Sequence, residues 1–268
     1  MEIKLSGATR LFAIIGDPIA QVRSPAGVTQ SMIDRGHDAM VAPVQVAVED
    51  VAAFVNLAKN IKNLDGILVT VPHKFACLPL CANVTPRAAF IGAVNVMART
   101  PKGWAGDMVD GIGFLAAAKA QGFKPQGARA LLAGAGGAGS AIAFALMEAG
   151  VAELAIYDAN APRRDALIAR LGAQGPGRVS IGSDDPTGFD FIANATPAGM
   201  PGFAPSSFDL ARLTPAMFVA CVVTVPEITP LIAAARQLGC ATSTGTAMYA
   251  ALQELLVDFL LQGQGARA

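Results

Sequence analysis

Residues Gly134 to Gly139 read Gly-Ala-Gly-Gly-Ala-Gly, inside a run without a charged residue from Ala130 to Met147. A run of that length is about as long as a membrane span. Four glycines within six positions do not suit a lipid-facing helix; a buried strand, a tight turn and a helix suit them better. The spacing is G-x-G-x-x-G. Its first glycine makes the turn, its second lets the backbone approach a pyrophosphate, and its third lets helix and strand pack closely. A strand over 128–133 and a helix over 138–149 are expected on either side, with the bound anion at the positive end of the helix. Gly134, Gly136, Gly137, Ala138 and Gly139 are therefore expected to bind a dinucleotide.

Asp158 follows the next expected strand, 154–157. An acid there accepts hydrogen bonds from ribose hydroxyls and repels a 2′-phosphate. The cofactor expected on Asp158 is NAD, with NADP second. Arg163 and Arg164, at the start of a following helix, are read as solvated surface arginines rather than phosphate ligands.

The rest of the chain alternates between short apolar runs and helical spacing. Strands are expected over 11–15, 41–46, 66–71, near 96, and over 191–193 and 217–223. Helices are expected after Ser24-Pro25, with Ser24 as cap, and over 48–59, 111–120, 161–171 and 246–261. That pattern implies an α/β fold with mostly parallel sheets. It restarts at Asp110, which sets a domain boundary there.

Hydrophobic residues make up 53% of the 268 and charged ones 15%, enough apolar surface to bury sizeable cores. Residues 1–110 carry ten basic and nine acidic side chains, and the remainder ten and eleven. Neither half is a basic surface, so neither nucleic acid nor membrane is expected as a partner. Four cysteines are too sparse for a disulfide scaffold, and Cys77 and Cys81 read as ordinary thiols; no metal is expected. The N-terminal stretch MEIKLSGATR has no apolar signal core, so a cytoplasmic location is expected.

A dinucleotide site does not say what is oxidised. Lys74, in Thr70-Val71-Pro72-His73-Lys74, follows a buried strand. A lysine at a strand end can face a cleft, where desolvation suits it to proton transfer. A carboxylate would orient it, and Gly106-Asp107-Met108-Val109-Asp110-Gly111 offers two. Adjacent residues of an extended segment point to opposite faces, which makes His73 structural rather than catalytic.

Taken in order, several segments resemble the shikimate/quinate dehydrogenase family. They are Gly16-Asp17-Pro18-Ile19 with Ser24-Pro25, Val69 to Lys74, Gly92-Ala93-Val94-Asn95, Gly106-Asp107 with Asp110-Gly111, the glycine loop, Asn194 to Met200, and Thr229-Pro230-Leu231. The resemblance spans nearly the whole chain. It implies a two-domain α/β enzyme, with 1–110 plus 245–268 as the substrate-binding domain and 111–244 as a Rossmann-type domain. It implies Lys74 as catalytic lysine and Asp110 as its carboxylate partner. Ser24, Thr70 and Asn95 are implied to contact substrate, and Thr196 and Gly245 to lie at the cofactor. The expected reaction is reversible hydride transfer between NAD(P) and a ring hydroxyl of shikimate, quinate or a related cyclic polyol. A place in aromatic amino acid biosynthesis, and a monomer or homodimer, go with it.

The departures share a direction. Val22 stands where the family has a carboxylate-holding serine, Leu68 for an asparagine, Thr224 for a tyrosine and Leu252 for a glutamine; Gln253 is one residue on, about 100° around the helix. Met108 and Val109 replace asparagine and threonine. Polar groups are thinned at the acid-binding end while the Lys74/Asp110 pair remains. A shifted substrate, such as a related cyclic polyol, is expected. Two other readings are an NAD-binding regulatory protein and another two-domain enzyme such as a methylenetetrahydrofolate dehydrogenase. Retention of both Lys74 and Asp110 argues against the first, and the Gly-Ala-Val-Asn and Gly-Asp…Asp-Gly segments against the second.

Overall fold

The computed structural model describes residues 5–173 and 177–262. The first four residues of the N-terminal stretch, and 263–268 of the expected substrate domain, lie outside the described residues. By internal contacts the chain divides into two compact units, Met1–Val109 with Gln253–Ala268, and Asp110–Leu252.

The first unit holds a six-stranded sheet made of β1 (Arg10–Gly16), β2 (Ala39–Gln45), β3 (Leu64–Val69), β4 (Asn83–Val84), β5 (Val96–Thr100) and β6 (Gly103–Asp107), in the order β2-β1-β3-β5-β6-β4. β1 pairs parallel with β2 and β3, whereas β3–β5 and β5–β6 are antiparallel. All six residues of β3 are buried, as expected of a central strand covered on both faces. Helices α1 (Ser24–Asp34), α2 (Val51–Ala58), α3 (Lys74–Cys77) and α4 (Pro86–Ile91) connect the strands.

Two local expectations need correcting. Ser24 is the first residue of α1 and not its cap: Arg23 holds that place in helical conformation, φ −103° and ψ −18°, with no side-chain capping bond. The segment 48–59 opens as one 3-10 turn, Val48–Asp50, before α2 begins. The helix after Ser24-Pro25 ends on Gly36 at φ +82°, where Gly36 N–H donates to Ile33 O and His37 N–H to Met32 O, a glycine stop that closes the last carbonyls.

The second unit is built from α5 (Asp110–Ala120), β7 (Arg129–Ala133), α6 (Gly137–Glu148), β8 (Glu153–Tyr157), α7 (Ala161–Gly172), β9 (Arg178–Ile181), β10 (Phe191–Asn194), β11 (Phe218–Cys221), α8 (Pro230–Gln237) and β12 (Ala241–Ser243). Its sheet runs β9-β8-β7-β10-β11-β12 with every pair parallel. That is the Rossmann order 3-2-1-4-5-6, whose ligand crevice lies beyond the carboxyl ends of the strands where the order reverses, here between β7 and β10. Phe123 stacks on Phe191 at 4.0 Å between centroids, and Phe114 and Phe218 complete an aromatic cluster in the core. The last helix, α9 (Gly245–Gln262), contains the dividing point at Leu252/Gln253.

One arginine organises the outer part of the first sheet. Arg99 of β5 donates to the carbonyls of Ala58, Lys59, Ile61 and Leu64 at 2.6–3.0 Å, and so takes up the open end of α2. Its guanidinium lies 4.7 Å from the centre of the buried Trp104 ring, whose Nε1–H donates to Val55 O. Trp104 is therefore packing. Arg99→Ala leaves these carbonyls without a charged donor, and a loss of about 3 kcal/mol is expected, read as a lower urea midpoint at unchanged slope.

Candidate functional site

In the second unit, the glycine loop is a turn that only glycine can make. Gly134 has φ +103°, and a Cβ there would lie 2.7 Å from Ala195 O; a Cβ on Gly139 would overlap Gly134 O. The loop is thus drawn close to its own helix and to the segment after β10. Nothing lies within 4 Å of a Cβ built on Gly136, so there is room over the loop for a ligand. Gly136 caps α6 without a side-chain bond, leaving first-turn N–H groups of a twelve-residue helix to an anion. These features fit a dinucleotide pyrophosphate. Gly137, Ala138 and Gly139 form that first turn.

Asp158 directly follows β8, and its side chain is 3% exposed. Ala135 N–H of the loop donates to Oδ2 at 2.6 Å and Asn160 N–H to Oδ1 at 2.7 Å; Arg163 Nη2 lies 2.8 Å from both oxygens. Burial pushes its pKa up, but the two backbone donors and Arg163 outweigh it and hold the carboxyl below the usual carboxylate range. Arg163 keeps 48% of its side chain exposed, as a surface arginine, but its guanidinium is held by the buried carboxylate that precedes α7. Arg164 pairs instead with Asp165.

Thr196 builds its own loop. Its hydroxyl donates to Asn194 Oδ1 at 2.7 Å, lies 2.7 Å from Ser207 Oγ and accepts from Ala198 N–H. Asn194, buried at the end of β10, also donates through Nδ2 to Ala198 O and Cys221 Sγ. Asn194 and Ser207 were not singled out from sequence, although the Asn-Ala-Thr-Pro motif contained the first. Gly245 has a packing reason to be glycine, since a Cβ would overlap Val223 O.

In the first unit, Lys74 opens α3 and is half-buried. Thr70 N–H donates to Ile15 O, Asp17 N–H to Val71 O, and Val94 N–H to Lys74 O, at 2.9–3.0 Å. The turn 70–74 is thereby tied to the end of β1 and to the segment before β5. Asn95 is 4% exposed; its Oδ1 accepts Val109 N–H at 3.0 Å while its own N–H donates to Asp107 O. Asp107 is 1% exposed and supports this turn. Its Oδ1 accepts from Thr85 Oγ1 at 2.5 Å and from Met108 N–H, and Arg87 pairs with both oxygens. Asp110, 3% exposed, is the first residue of α5 and belongs to the second unit.

Ser24 is partly buried in the first turn of α1. Gln253 is a half-buried residue of α9 beside Glu254, whose carboxylate is held below its usual range by Arg35 first and Ser31 next. Leu252 packs on Gly113. Burial pushes the Cys77 thiol up to about 12 and the Cys81 thiol up to about 11. Among the described residues no group of three metal-ligating side chains occurs, and no helix is long and apolar enough to cross a membrane.

A Rossmann strand order and a glycine cradle make the second unit a dinucleotide-binding α/β fold. The chain matches the family description "Shikimate dehydrogenase substrate binding domain" over residues 14–97. It is 40% identical over 248 residues to shikimate dehydrogenase (NADP(+)) of Acidiphilium cryptum, covering 91% of this chain and 87% of that one. Among solved structures it is similar to 5-ketofructose reductase of Gluconobacter sp. strain CHM43 (31% identity, TM-score 0.83, 95% and 93% covered). It is also similar to quinate dehydrogenase of Corynebacterium glutamicum in complex with NAD (28%, 0.85, 95% and 94%). The chain belongs to the shikimate dehydrogenase family, and its activity is an NAD(P)-dependent dehydrogenase of the shikimate/quinate type. The methylenetetrahydrofolate dehydrogenase alternative falls with that placement.

The lowered pKa of Asp158 fixes the sign of a pH effect. Its contribution is complete above the ordinary carboxylate pKa and is lost as pH falls through the depressed one. Asp158→Asn is expected to cost about 1–3 kcal/mol at neutral pH. The gap from wild type should close as pH is lowered below about 4, as read by urea unfolding at each pH.

Proposed function

We propose that this enzyme transfers hydride between NAD(P) and a hydroxyl or ketone of a cyclic polyol or related neutral sugar, and handles shikimate itself poorly. The carrying observation is the turn 70–74, which fixes the backbone of a half-buried lysine at the start of α3. Lys74 takes the hydroxyl proton on oxidation and returns it on reduction, and the Asp110 carboxylate is its partner. Asn95, Thr70 and Ser24 are assigned to substrate oxygens. Gln253 is assigned to substrate as well. When bound, the nicotinamide accepts or supplies the hydride.

The neutral substrate is supported by the residue types at the positions where the resemblance implies polar groups for an acid. Val22 and Leu252 cannot pair a carboxylate, and a buried carboxylate left unpaired is costly. The similarity to an enzyme named for a ketosugar points the same way. The test is initial rates against shikimate, quinate, myo-inositol and neutral ketosugars. Faster turnover of a neutral compound is expected, and efficient turnover of shikimate at low KM would overturn the substrate assignment. With the best substrate, Lys74→Met should lower kcat by about 10²–10⁴; an unchanged kcat removes Lys74 from the mechanism.

For the cofactor we infer a preference for NAD with NADP admitted. Gly134, Gly136, Gly137, Ala138 and Gly139 hold the pyrophosphate, Thr196 and Gly245 line the nicotinamide side, and Asp158 faces the ribose. The ionised Asp158 favours ribose hydroxyls over a 2′-phosphate, but Arg163 offsets its charge and leaves donors for that phosphate. Arg163→Ala should weaken NADP binding by about tenfold or more, the worth of one charge-assisted hydrogen bond. NAD should bind as before or tighter. Dissociation constants from calorimetry on both dinucleotides check this.

A further inference from the structure

One buried side chain beside Lys74 has no role in the reaction as described. His73 is 1% exposed, and its Nε2 lies 2.7 Å from Val46 O. A carbonyl only accepts, so Nε2 carries the hydrogen. Nδ1 makes no hydrogen bond among the described residues. Val46 directly follows β2, and its own N–H donates to Gly16 O at the end of β1. The acceptor is thus fixed to the ends of two strands.

The backbone around His73 is not extended. His73 has φ −81° and ψ −9°, its N–H donates to Thr70 O, and its carbonyl accepts Cys77 N–H, so it caps α3. Successive residues of a helical turn are about 100° apart around the axis. Fixing one side chain therefore fixes the direction in which the next one leaves. The backbone bonds of Thr70, Val71 and Lys74 set where the turn lies. The bond from His73 sets how it is rotated.

We propose that His73 is a positioning residue for Lys74: its Nε2–H bond to Val46 O sets the rotation of the first turn of α3, and with it the direction of the lysine amine. This rests on the assignment of proton transfer to Lys74. His73 acts through the backbone that it holds, and a misplacement of about 1 Å is enough to cost about 10²-fold in rate.

The test compares His73→Phe, which keeps ring size but loses the donor, with His73→Gln, whose Nε2–H2 reaches to about the same place. The full-length enzyme is used at saturating cofactor with the best substrate of the panel above. His73→Phe is expected to lower kcat by about 10- to 100-fold, change KM by less than about threefold, and shift the limb of the pH–rate profile that Lys74→Met abolishes. His73→Gln should restore kcat to within about fivefold of wild type and return that limb to its place. A merely structural histidine would lower the melting temperature and leave the pH limb where it was. Wild-type kcat and pH profile in a folded His73→Phe, or equal losses in both variants, would overturn the proposal. A fully active Lys74→Met would instead overturn the assignment it rests on. If His73→Phe does not fold, 15N spectra of the wild-type imidazole decide. A protonated Nε2 throughout the pH range of the rate limb supports the proposal, and an Nδ1–H ring refutes it.

Discussion

The second unit depends on the close approach of one carbonyl to one glycine. Gly134 O occupies the space where a side chain on Gly139 would begin, so α6 starts almost against the end of β7. That proximity aims the first N–H groups of the helix over the carboxyl edge of the sheet. It also turns Ala135 N–H outward to Asp158 at the end of the neighbouring strand. The acid and the loop are therefore one construction. A carboxylate with 3% of its side chain exposed is tolerable because two backbone donors and a guanidinium satisfy it.

Several residues expected to serve a ligand turn out to hold backbone as well. Asn95 spends its carbonyl on Val109 N–H, Thr196 spends its hydroxyl on its own loop, and Gly245 is required where α9 starts against Val223. A side chain locked by the backbone it supports is held rigid, which suits it to meeting a ligand. Asp107 does only the second job, binding Thr85, Arg87 and Met108 N–H at one buried point.

How legible each part was follows from what carries the signal. The glycine loop, β7, β8 and the helices α6 and α7 could be read because parallel buried strands are continuous apolar runs and glycine positions are dictated by sterics. β6 was missed: Gly-Trp-Ala-Gly-Asp alternates nothing, and it is a strand because β5 lies antiparallel beside it. α8 was missed although Thr229 caps it and Pro230 opens it. Eight residues give little room for a periodic face. His73 was read as a structural or rim residue on an extended geometry; the segment is a helical turn, and the ring is buried with a hydrogen bond to Val46 that no local pattern encodes. Arg163 lies on the surface as read, but its pairing with Asp158, five residues back, was not anticipated because that acid had been assigned to a ligand.

The same distinction explains why the cofactor class is written more plainly in this chain than its substrate. A cradle for pyrophosphate uses backbone N–H groups, and the sequence can vary there only where a Cβ fits. Substrate recognition in general uses side chains on different segments, where one residue type can replace another without disturbing a strand or a helix. Losing one hydrogen-bonding group changes which molecule is favoured by about 1–3 kcal/mol, while a Cβ at Gly139 would displace the helix that carries the site. Divergence within a fold of this kind therefore accumulates on the substrate side. The positions to compare between members are those around Lys74 and the start of α1, not the glycine loop.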